Sequence, residues 1–204
     1  IAFRSDVDFI GLHLDNLKGK IKIPELMYES KYGKFKTKNI SVDIDNIGTI
    51  RNVKLNSDFI DVAINGKGIY KELPSFMYDF VRTQIPSLPP RDFKENKTVL
   101  PNFNLSIKVK NIDTILLAVY PALRLSKGAY INTIFSQESK LFVLDSKIPD
   151  LKWKNIHIKN CEISSEQNNL GIQLNSKFDG LIKNTQFKEI VGKIRIFKDS
   201  VYIN

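Results

Sequence analysis

Apolar and polar residues alternate with a period of two along most of this chain, and the period lengthens once to the three-and-four spacing of a helix. That helical stretch runs from Glu72 to Ile85, where Leu73, Phe76, Met77, Phe80, Val81 and Ile85 fall on one stripe and Ser75, Asp79, Arg82 and Thr83 fall opposite. Pro74 suits a first helical turn, and Pro86, with Pro89 and Pro90 behind it, stops continuation. Strands are predicted on both sides.

Before the helix, Ile10, Leu12 and Leu14 share a face, followed by Leu17, Ile21 and Ile23, then Ile40, Val42 and Ile44, then Val53, Leu55 and Phe59. The apolar phase then slips to Ile60, Val62 and Ile64, which predicts a bulge or bend near Phe59–Ile60. Turns are expected at Asp15-Asn16, Tyr32-Gly33, Asp45 to Gly48, and Asn65-Gly66. Beyond the helix, Asn102 to Lys110 alternates without exception. Thr114 to Tyr120 then reads as a second short helix capped by Asp113 and ended by Pro121. The strand pattern resumes at Ala129 through Phe135 and continues at Leu141–Ile148, Ile156–Ile163, Leu170–Phe178, Phe187–Phe197 and Val201–Ile203. Short turns between consecutive strands imply an antiparallel meander.

The chain also repeats itself. KIPEL at Lys22 to Leu26 returns as KIPDL at Lys147 to Leu151, Lys38-Asn39 returns at Lys159-Asn160, and LNSDF at Leu55 to Phe59 returns as LNSKF at Leu174 to Phe178. The offsets are 125, 121 and 119 residues, so order is kept and the second copy is shorter. This divides the chain into a first β-repeat over 1–70, a segment over 71–128 holding the helices and one strand, and a second β-repeat over 129–204.

Composition adds mainly exclusions. The net charge of +9 would suit nucleic acid or an anionic membrane, yet Lys18, Lys20, Lys22, Lys108, Lys110, Lys193 and Arg195 alternate with aliphatic residues, the outward half of a strand pattern. Trp153 between Lys152 and Lys154 is one aromatic and makes no base-stacking platform, so no nucleic-acid partner is expected. His13 and His157 stand apart as strand-surface residues, and Cys161 is the single cysteine, so neither a metal site nor an internal disulfide is expected. Asp58 with Asp61, or Asp43 with Asp45, could be imagined as acid/base pairs, but Asp43 and Asp45 share the polar face opposite Val42 and Ile44, which reads as a solvated face. No cofactor loop and no catalytic motif is present, and no enzyme is expected. No stretch of eighteen apolar residues occurs, and the opening at Ile1 reads as that of an excised or processed piece.

What the apolar face meets is left open by periodicity: a second sheet, as in a sandwich, or an open trough that acyl chains fill.

The run LNSDFIDVAINGKG (Leu55 to Gly68), the helix closing in TQIPSLPP, and then NIDTILLAVYPAL, SKGAYINTIFSQ and KIPDLKWKNIHIKN resemble the β-repeat region of TamB-type translocation and assembly proteins, AsmA-like bridge proteins, most closely the Bacteroidota versions. The likeness covers roughly Val7 to Phe178. It implies an all-β, elongated, curved antiparallel groove with two short helices, an interior piece of a longer protein anchored in the inner membrane of a Gram-negative bacterium and crossing the periplasm. It also implies phospholipid acyl chains as cargo and an outer-membrane β-barrel assembly protein as a partner of regions outside this piece. On that reading the groove is lined by Val53, Leu55, Phe103, Leu105, Ile107, Val109, Ile156, Ile158, Ile172 and Leu174, with Phe76, Met77, Phe80 and Val81 on the helix above it. The alternative is a β-repeat envelope scaffold, or adhesin-like module, whose apolar face is a closed core. Ser57 and Ser176, on the inner face in both repeats, argue against a fully apolar lining.

Overall fold

A computed structural model describes residues 1–89, 99–168, 171–182, 185–197 and 200–203; the predicted positions Pro90 and Leu170, and the side chain of Met77, lie outside the described residues. The strands are β1 (Ala2–Ile10), β2 (Lys18–Ser30), β3 (Gly33–Asp45), β4 (Ile50–Asn56), β5 (Ile60–Lys67), β6 (Asn102–Val109), β7 (Leu123–Leu125), β8 (Tyr130–Ser136), β9 (Leu141–Trp153), β10 (Ile156–Asn168), β11 (Gly171–Ile182), β12 (Thr185–Phe197) and β13 (Ser200–Ile203). Helix α1 (Leu73–Gln84) precedes β6 and α2 (Asp113–Val119) follows it. All strands join one antiparallel sheet in the order β1-β2-β3-β4-β5-β6-β8-β9-β10-β11-β12-β13, with β7 beside β8 along the same edge of β9. The fold is therefore all-β and elongated. Eleven strand spacings at about 4.8 Å give a length of about 53 Å, to which β7 adds nothing. The sheet stays open, with β1 and β13 at its edges.

Several local expectations change in the folded chain. Of the bulge or bend expected near Phe59–Ile60, the chain has the bend, as the tight reversal between β4 and β5. The Ser57 hydroxyl donates to the Ile60 carbonyl at 2.6 Å and accepts the Ile60 N–H at 3.0 Å. Because the chain reverses there, Leu55 pairs with Val62 and Val53 with Ile64, so both apolar sets stay on one face. Asn65-Gly66 is no turn; it lies inside β5. A Cβ on Gly66 would sit 1.9 Å from the Asn102 carbonyl oxygen, so the close backbone approach demands glycine. Asp113 stands in the first turn of α2 and Ile112 occupies the cap without a side-chain hydrogen bond. Strand β1 ends at Ile10, and Leu12, outside it, is exposed.

The sequence repeat marks one structural device used twice. Pro24 in β2 stands opposite Asn39 in β3, and Pro149 in β9 opposite Asn160 in β10. Both asparagines adopt left-handed backbone, with φ of 55° and 50°. Proline has no N–H for the ladder, and a left-handed residue turns its neighbours over. Each pair therefore shifts the alternation by one residue in both strands together. Inward positions are Ile21, Ile23, Ile40 and Val42 on one side of the kink and Leu26, Tyr28, Phe35 and Thr37 on the other. Pro24 and Asn39 are fifteen residues apart and Pro149 and Asn160 eleven, so each arm beyond the second kink is two residues shorter. That accounts for the drop in repeat offset from 125 to 121.

The kinks lie along a crease that crosses the sheet. In β12, Glu189 is left-handed at φ 49°, and the Asp179 carboxylate of β11 accepts its N–H at 2.9 Å and the Asn160 side-chain amide at 2.9 Å. The shorter strands β4, β5, β6 and β8 begin or end near this line, while β2, β3 and β9 to β12 run past it. Helix α2 occupies the resulting notch, packing on β2, β3 and β7. The Ser30 hydroxyl donates to the Ala118 carbonyl at 2.5 Å.

Replacing Asn160 tests the kink. Asn160→Val is expected to cost about 1–3 kcal/mol in denaturant unfolding, because a β-branched residue is strained at positive φ. Asn160→Gly, at ease there, stays within about 1 kcal/mol of the parent.

The hydrogen bonds from Glu189 N–H and then Asn160 hold the Asp179 carboxyl below its ordinary range, with nearby lysines adding to the effect. A lowered folded pKa contributes stability above the unfolded value of about 3.9, and that contribution is lost as pH falls through the lower folded value. Amide-exchange protection at Glu189 should therefore hold at pH 5 and decline in that acid window. In Asp179→Asn the decline should be absent.

Candidate functional site: the apolar sheet face

Cross-strand pairing fixes which side chains share a face. Val53 pairs with Ile64 and Ile64 with Leu105; Leu55 pairs with Val62 and Val62 with Ile107; Phe103 pairs with Phe135 and Phe135 with Phe142. Farther along, Ile163 pairs with Ser176, and Leu174 with Ile194. Ile158 and Ile156 sit beyond the Asn160 kink, opposite Gly180 and Ile182 of β11, and the kink returns them to this same face. All ten of the residues expected along a groove thus project from one side of the sheet, across β4, β6, β10 and β11.

The serines on this face are turned into the backbone, while Thr133, between Leu105 and Leu144, is a polar residue among the aliphatic ones. Ser146 donates to the Ile163 carbonyl at 3.2 Å, Ser165 to the Phe142 carbonyl at 3.2 Å, and Ser176 to the Gly192 carbonyl at 3.3 Å. Ser57 is consumed by its turn. Between β9 and β10 the register ends at Asp145 and Ser164. Past that point, side chains replace the ladder: the Leu144 N–H donates to the Ser165 hydroxyl at 2.6 Å and the Phe142 N–H to the Gln167 side-chain oxygen at 2.6 Å, while the Gln167 amide donates to the Lys140 carbonyl. A hydroxyl or amide bonded to backbone presents its carbon side outward. The face is therefore more apolar than its sequence.

Helix α1 covers one end of it. Phe80 meets Phe135 edge to face at 5.1 Å between centroids and Phe142 at 6.1 Å, in a cluster with Ile172 and Leu174. Phe76 is fully buried, whereas Val81 is 39% exposed at the margin of the stripe. Away from the helix, Val53, Leu55, Leu105, Ile107, Ile131 and Ile163 are only half-buried, and no second sheet packs on them among the described residues. Exposed area agrees: the chain presents 13347 Å², against about 9,700 Å² for a compact chain of 23.4 kDa. A hollow of about 540 Å³ lies beyond the crease against Met27, Tyr28 and Phe35.

Arg51 is the residue that periodicity misses. It occupies an inward position in phase with Val53 and Leu55, yet is 2% exposed. Its guanidinium donates to the Gly48 carbonyl at 2.7 Å and pairs with Asp15 at 3.1 Å, and it lies 5.4 Å from the Tyr70 ring centroid. Asp15 also accepts the Tyr70 N–H at 2.8 Å, so one buried ion pair ties the β1–β2 connection to the start of the helical segment. The signal was an arginine in an apolar phase. Burial raises the Tyr70 hydroxyl's pKa, with Arg51 opposing.

The carboxylates considered for acid/base work are engaged elsewhere. Asp43 pairs with Lys20 at 3.1 Å and Asp45 with Lys18 at 3.0 Å, across β2 and β3 on the opposite face. Asp58 accepts the Lys38 N–H at 3.0 Å and the Thr37 hydroxyl at 3.2 Å; Asp61 accepts from Lys110 at 2.6 Å. Lys110, expected outward, reaches back across the β4–β5 turn to the Ser57 carbonyl at 2.8 Å. His157, expected as a plain surface residue, is largely buried and bonds Asp150 at 2.7 Å. Cys161 is buried on the apolar face, and burial pushes its thiol pKa up. Among the described residues no group of three His, Cys, Asp or Glu side chains could hold a metal, and no helix is long and apolar enough to cross a membrane.

No known family, no curated protein and no solved structure matches this chain.

Phe80 anchors α1 on the sheet. Phe80→Ala should cost about 3–5 kcal/mol in denaturant unfolding and speed tryptic cleavage after Arg82, while Val81→Ala, at the exposed margin, should do neither to a comparable degree.

Proposed function

We propose that this chain is a non-enzymatic segment of a periplasmic lipid-transport bridge, carrying phospholipid acyl chains along its apolar face between the inner and outer membranes in support of outer-membrane assembly. The observation that carries the reading is an apolar face continuous across the sheet, half-buried and without a covering layer away from α1. Such a surface is costly in water and becomes favourable once covered by hydrocarbon, at about 0.8 kcal/mol per buried methylene. Transport of this kind asks for no catalytic group. It asks for an apolar path without an exposed polar interruption, and the inward serines and Gln167 meet that condition by bonding to backbone.

The opposite face has the complementary property. Lysines there pair across strands with acids, including Lys36 with Glu25 at 2.8 Å and Lys147 with Glu162 at 2.7 Å, which keeps it wet while the apolar face meets lipid. The envelope location, the inner-membrane anchor and the β-barrel partner rest on the resemblance to TamB-type proteins. Helix α1, held by Phe76 and Phe80, covers one border of the acyl path.

Photocrosslinking in cells tests the reading. A probe at Leu105 or Leu174 is expected to capture phospholipid, and a probe at Lys108 or Asn175 on the other face to capture none. Folded protein without lipid at any of the four would assign the apolar face to protein packing and end the proposal.

A further inference from the structure

A second surface lies on the rim of the sheet beyond the crease. Lys31 and Tyr32 form the β2–β3 turn, Val119 and Tyr120 end α2, and Trp153 and Lys154 begin the β9–β10 turn. Contacts make the three points one strip. Ser30 bonds the Ala118 carbonyl on one side, and on the other the Trp153 indole N–H reaches the Tyr120 hydroxyl at 3.5 Å and the Lys154 N–H the Ala122 carbonyl at 3.0 Å. Tyr32, Val119, Tyr120 and Trp153 are 54%, 53%, 45% and 44% exposed. Phe3 and Phe187 extend the strip to either side. Of the exposed aromatic residues among those described, only Tyr202 lies elsewhere.

Part of this rim's charge is uncompensated, although Lys34 beside the β2–β3 turn pairs with Glu29 at 2.7 Å. Lys31 and Lys154 stand over the Tyr32 and Trp153 rings at 4.8 and 5.6 Å, and neither has a carboxylate partner among the described residues. Just behind the rim, on the opposite face, Arg124 of β7 is directly across from Lys152 of β9, which is across from His157 of β10. Like charges directly opposed across strands are destabilising. Asp150 answers His157, and no acid answers Arg124 or Lys152 among the described residues. Lys18, Lys20, Lys108 and Lys147 face acids across strands, whereas Arg124 and Lys152 face each other.

We infer that this rim seats on an anionic lipid surface, with Tyr32, Tyr120 and Trp153 at headgroup level and Lys31, Lys154, Arg124 and Lys152 against phosphate. Amphipathic aromatic side chains settle at membrane–water interfaces, and basic side chains near an anionic leaflet contribute about 1 kcal/mol each. The surface borders the acyl path, Trp153 standing opposite Ile156, and is told apart from it by its dependence on anionic headgroups and on Lys31 and Lys154.

Trp153 is the chain's single tryptophan and reports the event directly. On titration with vesicles of phosphatidylethanolamine and phosphatidylglycerol, its emission is expected to shift to the blue and to be quenched by brominated acyl chains. Phosphatidylcholine vesicles should leave it unchanged, and 0.5 M salt, by screening, should reverse most of the shift. Neutralising both turn lysines (Lys31→Gln with Lys154→Gln), at about fivefold each, should weaken vesicle binding about 25-fold, with circular dichroism of the variant unchanged. If that pair does not fold, Lys31→Gln alone, a single turn substitution, should still weaken binding about fivefold. The inference is overturned by an unchanged spectrum on anionic vesicles, by an equal response to neutral ones, by lysine variants that fold and bind as the parent does, or by inorganic phosphate alone producing the full response. Crosslinking at Leu105 reads the acyl path separately.

Discussion

A strand places successive side chains on opposite faces, so a sheet that keeps one face apolar across a dozen strands must keep every strand in phase. The structure depends on that constraint. Its strands run past a line where the backbone kinks, and a phase change in one strand has to be matched in the next or absorbed by a bulge, as between Lys159 and Glu162, where β10 shifts and β11 does not. Pro24 opposite Asn39 and Pro149 opposite Asn160 shift both partners together. Lys20 and Lys36, on either side of the first kink, consequently both find acids on the outer face.

The two helices follow from what the strands leave undone. Strands β4, β5, β6 and β8 are shorter than their neighbours, which opens a notch on one side of the crease, and α2 fills it against β2, β3 and β7. At the other end the ladder between β9 and β10 gives way to Ser165 and Gln167, and there α1 brings Phe80 down on Phe135 and Phe142 beside the seam. Each helix covers apolar surface at a place where regular pairing is interrupted. Between them the face stays half-buried, the property on which the lipid proposal rests.

Polarity is distributed in the same economical way. Serines at inward positions cost the apolar face little because each hydroxyl finds a carbonyl on the adjoining backbone. Arg51 is tolerated inward because Asp15 and the Gly48 carbonyl surround its guanidinium; a charge buried without such partners would cost several kcal/mol, on the order of 3–5. At the rim beyond the crease, Lys31, Lys154, Arg124 and Lys152 lack acids among the described residues, and aromatic rings lack cover.

Period-two alternation was enough to determine the meander, the inward set from Val53 to Leu174 and the all-β class, because side-chain direction in a strand is a local property. The change to helical spacing located α1, and the recurring KIPEL and KIPDL located both kinks, although not their geometry. Only the tertiary structure decided that Phe59–Ile60 is a turn and Asn65-Gly66 a strand, since both readings fit the same local pattern until a partner strand is present. It alone decided the fate of Arg51, Ser165, Gln167 and His157, whose partners Asp15, Phe142, Lys140 and Asp150 stand on other elements. It also brought Tyr32, Tyr120 and Trp153 to one rim from turns far apart in the chain. Contacts across that distance depend on strand order and register, which periodicity along a single strand does not encode.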